Sequence, residues 1–159
     1  MTLRPLTDDD VELLAEALEH PSVRRWWGQD NDPASIREGF WNEGTGMAIE
    51  ADGELAGWIA FNEEDEPDYK QAALDVMLVP RFQGQGLGSE ALRVVIRWLS
   101  GERGHHRFTI DPALANERAI RAYRAVGFKD VGVMRKYDRN PDGVWEDALL
   151  LDLLIEELT

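Results

Sequence analysis

The stretch Gln83-Gly84-Gln85-Gly86-Leu87-Gly88 constrains this chain more than any other. Before it runs the apolar segment Ala72 to Val79, which ends at Pro80. After it, from Leu87 to about Ser100, Leu87, Ala91, Leu92, Val95 and Leu99 recur at helical spacing. The first pattern predicts a buried strand and the second an amphipathic helix. Three alternating glycines permit positive φ and let a ligand come close to the backbone; without such a reason each would only weaken the connection. A helix starting near Leu87 aims its free N–H groups and the positive end of its dipole into the turn. An anion site is therefore expected there, with Arg81 as a cation at its mouth. The spacing is not the Gly-x-Gly-x-x-Gly of a dinucleotide fold, and no Gly-Lys-Ser/Thr follows, which excludes a P-loop.

The remaining elements follow from the same local signals. Thr2 to Pro5 reads as a first strand. Thr7 caps a helix with Asp8, Asp9 and Asp10 in its first turn and Val11, Leu14, Ala15 and Leu18 on its apolar face, and Pro21 closes it. The segment Val23 to Gly28 follows, and Asp32-Pro33 opens a second helix to about Trp41. Asp52-Gly53 joins Gly46–Ala51 to Glu54–Asn62 as a hairpin. Charge repulsion and Pro67 make Asn62 to Asp68 an exposed loop. Arg107 to Asp111 is a strand, Asn116 to Val126 a helix with Gly127 just past its end, and Phe128–Tyr137 and Trp145–Ile155 a final strand pair. The order β α α β β β α β α β β predicts an α/β (α+β) fold in one domain. A mixed central sheet of about seven strands is flanked by four helices, with a right-handed parallel crossover at its centre. A chain of 159 residues fits one such domain. Leu149, Leu150, Leu151, Leu153 and Leu154 cover either an internal sheet or a dimer surface, so both monomer and homodimer are compatible.

Composition narrows the chemistry. There is no cysteine, which excludes thiolate nucleophiles and Cys-type zinc sites. His20, His105 and His106 lack metal-ligand spacing, no metal is expected, and His105-His106 reads as an exposed loop. The net charge of −14 disfavours nucleic acid and favours a cationic small-molecule partner, or serves solubility. No apolar run is long enough for a membrane span, and the N-terminus lacks a signal peptide, so a cytoplasmic protein is expected. One residue breaks the pattern of its strand. Asp75 interrupts Ala72-Ala73-Leu74-Asp75-Val76-Met77-Leu78-Val79, and a charge there needs a partner or solvent. Either a cleft beside the strand or the water at the sheet rim could supply it.

Gln83-x-x-Gly86-x-Gly88, followed about thirty residues later by Asn116-x-x-Ala119-x-x-x-Tyr123-x-x-x-Gly127-Phe128, resembles the paired motifs of the Gcn5-related N-acetyltransferases. The resemblance spans nearly the whole chain and implies the acyl-CoA N-acyltransferase fold with acetyl-CoA as co-substrate. It implies that backbone amides of Gln83, Gly84, Gln85, Gly86, Leu87 and Gly88 hold the CoA pyrophosphate. Met77, Leu78 and Val79 would pair with the pantetheine arm, Asn116 would touch the same arm, and Tyr123 would stand near the sulfur. The chemistry is consistent: a tyrosine near pKa 10 can protonate a departing thiolate, whose ordinary value is about 8.5. Packing on its own helix is the other role open to Tyr123. Asp75, directly or through water, can take the proton of an attacking amine, and direct attack is the simpler route in a chain without cysteine.

Arg25-Trp26-Trp27-Gly28, Leu74-Asp75-Val76 and Asp111-Pro112 running into Asn116 are similar to the aminoglycoside 6'-N-acetyltransferases, as is the turn Pro141-Asp142-Gly143. In that family the tryptophans line the acceptor cleft, and the acids matching Asp75, Asp111 and Asp142 face a polyamine sugar. Several carboxylates and a flat aromatic wall suit a polycation. The short acidic loop from Asn62 to Tyr69 departs from those resistance enzymes, and relatives that acylate siderophores share the Trp and Asp-Pro features. A protein N-terminus, a polyamine or a siderophore lysine are the alternative acceptors, and a non-catalytic acyl-CoA sensor is the alternative class.

Overall fold

The computed structural model describes residues 1–27, 33–36 and 46–159. Seven strands form one sheet: β1 (Thr2–Pro5), β2 (Gly46–Ala51), β3 (Glu54–Glu64), β4 (Gln71–Leu78), β5 (Arg107–Ile110), β6 (Lys129–Arg139) and β7 (Trp145–Leu154). Their spatial order is β1-β2-β3-β4-β5-β7-β6, the mixed sheet expected. The helices are α1 (Asp8–Glu19), α2 (Pro21–Arg24), α3 (Pro33–Ser35), α4 (Leu87–Arg103) and α5 (Glu117–Val126). No helix among the described residues is long and apolar enough to cross a membrane. Of the helix expected from Asp32 to Trp41, only the turn Pro33–Ser35 lies within the described residues.

Every neighbouring strand pair is antiparallel except β4 and β5, which α4 connects. That parallel pairing covers only Ala72↔Phe108 and Ala73↔Thr109. Beyond it the two strands separate, leaving the far half of β4 paired on the β3 side alone. The sheet thus opens a wedge beside Asp75 to Leu78, directly before the glycine turn.

Side-chain alternation divides the core between the two faces of the sheet. Leu74 joins Ile59, Phe61, Leu92, Ile96 and Leu151 on the face covered by α4 and α5. Met77 joins Ala48, Trp58 and Ala60 under Leu14, Leu18 and Val23 of α1 and α2. Asp75, two residues from Met77, therefore shares the α1–α2 face. At the entry to α1, Thr7 and Asp10 form a reciprocal capping box. Both carboxylate oxygens of buried Asp10 accept from Arg4, at 2.6 and 3.0 Å. Pro21 both ends α1 and opens α2, a short turn that the sequence pattern had not separated from the following segment.

Two local expectations are corrected, and one open alternative is decided. Strand β3 continues to Glu64, because Asn62, Glu63 and Glu64 pair with Ala73, Ala72 and Gln71 despite their charge. His105 is not exposed: Gly104, at φ 73°, ends α4 and turns His105 inward. Its Nε2 lies 2.6 Å from Glu63 Oε2. Glu63, Asp65 and His105 bring possible ligand atoms within 4.8 Å of one another, although their spacing in sequence gives no hint of it. Arg103 donates to the other Glu63 oxygen at 3.1 Å, so this cluster is already ion-paired. Finally, β7 lies between β5 and β6, so Leu149, Leu151 and Leu153 are buried within the sheet.

Candidate active site

The glycine turn forms as its residue types require. Gly84 and Gly86 have φ of 76° and 80°, in the region that glycine occupies without strain. Gly86 is the N-cap of α4, and the first bond of that helix runs from Glu90 N–H to Gly86 O at 3.0 Å. The amides of Leu87, Gly88 and Ser89 precede that bond and are available to an anion. A Cβ built on Gly86 meets no protein atom within 4 Å, so this face of the turn is open.

In front of the turn lies a groove of about 420 Å³, walled by Val76, Met77 and Leu78 of β4, by Gln83, Gly84, Gly86 and Gly88, and by Asn116, Ala119 and Tyr123. Gln83 is fixed by donation from Nε2 to Leu78 O at 3.3 Å. Asn116 caps α5, its Oδ1 accepting from Ala119 N–H at 3.3 Å. Val79, Gln85 and Leu87, expected to act through their backbones, are not among the residues lining the groove. Val79 N–H is taken by Ala56 O at 2.8 Å, Gln85 reaches back to Arg81 O, and Leu87 packs into the core. The cations at the groove are also different ones. Arg81 pairs with Glu54 and lies over the Phe82 ring, whereas Arg25 and, beside Gly84, Arg118 of α5 line the groove.

A second cavity, of about 180 Å³, opens on the wedge between β4 and β5. Asp75, Asp111 and Asp138 line it together with Trp26, Trp27 and Trp58. Trp27 and Trp58 stack at a tilt, with centroids 5.8 Å apart, and Arg25 covers Trp26 at 4.3 Å. The cavities share Trp26, Trp27, Val76, Asn116 and Tyr123, so Tyr123 and Val76 stand at their junction. Asp142 does not reach it. Its amide is tied to Asn140 Oδ1, and its side chain borders a separate cavity on the other side of Trp26. Asp138, Tyr137, Trp58 and Arg118 were missed by sequence reasoning. For Trp58 a signal existed, since the register that faces Asp75 with Ala60 puts Trp58 opposite Met77.

The acids are electrostatically strained. Burial pushes the Asp75 carboxyl up to about 6, and the charges of Asp111 and Asp138 add to it. Burial also raises Asp111, against a hydrogen bond from Tyr137 that lowers it. That bond pushes the Tyr137 phenol up to about 12. Tyr123 is half-buried; its desolvation, with the charges of Asp75 and Asp111, holds it well above the ordinary phenol value, and it stays protonated. Such a phenol can donate a hydrogen bond to developing negative charge, and Asp75 can accept a proton near neutral pH.

A groove in front of an open helix N-terminus, joined to an acid-lined cavity at a protonated phenol, suits an enzyme that passes an acyl group from a nucleotide thioester to an amine. The model of the Acetyltransferase (GNAT) domain matches residues 1–129, and the chain belongs to this family. It is an acetyl-CoA-dependent N-acetyltransferase. The chain is 27% identical to an aminoglycoside N(6')-acetyltransferase type 1 of Klebsiella pneumoniae, over 90% of this chain and 79% of that one. It is 24% identical to a spermidine N(1)-acetyltransferase of Escherichia coli (strain K12), over 82% and 73%. The fold matches AAC(6')-Ib in complex with ribostamycin and coenzyme A, with TM-score 0.77, 23% identity and coverage of 98% and 94%.

Proposed function

We propose that this N-acetyltransferase acetylates a primary amine of a polycationic small molecule, an aminoglycoside-like sugar at its 6'-amine, by direct attack. The observation that carries this reading is the convergence of Asp75, Asp111 and Asp138 with a tryptophan wall at the junction with the donor groove. Three carboxylates in so small a space repel one another, and several ammonium groups of one ligand would relieve that repulsion together. The aromatic faces add cation–π and stacking contacts.

In this reading the amides of Leu87, Gly88 and Ser89, with Arg118, hold the CoA pyrophosphate. Met77 and Leu78 flank the pantetheine arm, with Asn116 opposite. Asp75 takes the proton from the ammonium, directly or through water, and frees the lone pair. The C–N bond forms at the thioester carbonyl, the C–S bond breaks, and the proton that the acylated nitrogen then sheds passes through water to the departing thiolate, giving the amide and the free thiol. Tyr123 hydrogen-bonds the departing sulfur; full proton transfer from so weak an acid to a thiolate is uphill, so partial transfer suffices.

Steady-state assays with kanamycin-type sugars, spermidine and a peptide with a free N-terminus test the acceptor. Turnover of the sugars is expected, and no turnover of any aminoglycoside would overturn the reading. A linear polyamine is the second reading, since the same acids suit it and a spermidine acetyltransferase is among the relatives. Raising salt from 50 to 500 mM is expected to raise KM severalfold for a polycationic acceptor and little for a neutral amine, because screening weakens attraction at an open cleft.

Tyr123→Phe preserves the ring contact with Phe128, at 6.3 Å between centroids. It is expected to reduce kcat by about 10–100-fold. Isothermal titration of CoA should find unchanged affinity. Unchanged turnover would remove Tyr123 from the reaction.

A further inference from the structure

The last two strands shift register at two places, between Asp130 and Gly132 and, more strongly, between Met134 and Asp138. At the second, pairing stops at Met134↔Ala148 and resumes at Asp138↔Glu146, so four steps along β6 match two along β7. The surplus residues bulge, and Lys136 sits in the bulge at φ 47°, a conformation that residues other than glycine, asparagine and aspartate rarely adopt. Its N–H donates to Asp147 Oδ1 at 2.8 Å. With uninterrupted pairing Tyr137 would lie opposite Trp145 and Asp138 beyond it, about 7 Å further along β7. The bulge instead draws both back toward the acceptor cavity, where Tyr137 hydrogen-bonds Asp111 and Asp138 forms part of the lining.

Asp147 also holds the other side of that cavity. Its carbonyl accepts from Leu114 N–H at 2.9 Å, Ala113 bridges to Ala148, and Pro112 O accepts from Leu149 N–H at 2.9 Å. The segment following Asp111 is thereby fastened along β7. Asp147 itself is exposed and is not among the residues lining the cavity.

We infer that Asp147 is a positioning residue for acceptor binding: its carboxylate fixes the β6 bulge that places Tyr137 and Asp138 against Asp111, and its carbonyl anchors the segment after Asp111. The inference deepens the proposed reading of this cavity as the acceptor site and rests on it for the kinetic arm of the test. What the bulge needs from residue 147 is a hydrogen-bond acceptor of the right reach, not a charge.

The test uses the full chain with Asp147→Ala, Asp147→Asn and the double variant Asp147→Ala/Lys136→Gly. Kanamycin A and spermidine are the probe acceptors, acetyl-CoA is varied separately, and exchange of the Lys136 amide is followed by NMR. Asp147→Ala is expected to speed that exchange at least 10-fold and raise acceptor KM about 10-fold, with KM for acetyl-CoA unchanged. Asp147→Asn, which keeps the acceptor oxygen, should match the parent. Lys136→Gly, which relaxes the backbone, should restore acceptor KM in the alanine background. Unchanged exchange or unchanged acceptor KM in Asp147→Ala overturns the inference, as does an Asp147→Asn variant that is folded but equally impaired. If Asp147→Ala does not fold, the asparagine variant and the double variant decide on the same readouts. If neither probe is turned over, the acceptor reading fails while the exchange data still judge the bulge.

Discussion

Asp75→Asn is expected to lower kcat/KM by at least 100-fold and, at the same time, to raise the melting temperature at pH 8 by about 5 °C. Both effects have one cause. Burial and the neighbouring Asp111 and Asp138 push the Asp75 carboxyl up to about 6. The folded chain therefore keeps this proton up to about pH 6, whereas the unfolded chain releases it near 3.8. Stability falls as pH rises between those values, and above pH 6 the ionised group costs the fold at most ~3 kcal/mol, at ~1.4 kcal/mol per pH unit. Asparagine removes that charge and removes the base with it. The gain in melting temperature should shrink as pH falls toward 3.8 and vanish below it, where both states of the parent are protonated. The parent's kcat/KM for the acceptor should rise with pH along a limb near 6, a value belonging to the coupled trio of acids, and Asp75→Asn should lack that limb. Differential scanning calorimetry and pH–rate profiles measure both. A variant no more stable than the parent at pH 8, or one with full activity, would show that Asp75 faces water at the rim.

Gly86→Asp is expected to weaken CoA by about 1000-fold while leaving a folded protein. The space beside a Cβ at Gly86 is open, so nothing in the protein is displaced. The cost of φ 80° is modest for aspartate, which tolerates this region better than most residues. The new carboxylate instead lies where, in the proposed reading, the exposed amides of α4 would receive phosphate. A like charge a few ångströms away is worth about 4 kcal/mol at an effective dielectric near 20. Gly86→Asn has the same size and backbone tolerance without the charge, and it should lose far less. Calorimetric titration of CoA into both variants separates repulsion from bulk, and survival of parent-like affinity in Gly86→Asp would place the pyrophosphate elsewhere.

The donor half of the site was readable because its signals are local. Alternating apolar residues make β4, glycines with positive φ make the turn, and a 3.6-residue period makes α4, all in the one continuous stretch from Gln71 to Arg103. The cation beside the glycine turn was not readable. Arg81 precedes the turn in sequence but bonds to Glu54, while Arg118 arrives from another helix. His105 shows the same limit, since polar neighbours predict exposure and only the packing of Glu63 against it makes burial tolerable.

The acceptor half divides along the same line. Asp75 was conspicuous as one charge in an apolar strand, and Asp111 sits at a strand end before a proline. Asp138 carried no such mark, and Asp142 carried one but faces a different cavity. The difference is a bulge in β6, which moves residues along the partner strand by an amount no periodicity records. By itself the sequence determined the order of elements, the glycine turn that opens α4 and the presence of Asp75, because backbone preference and side-chain period act over a few residues. Only the tertiary structure decided which acids share a cavity with Tyr123, because that depends on where β4 and β5 part and how β6 is registered on β7, contacts between segments remote in the chain.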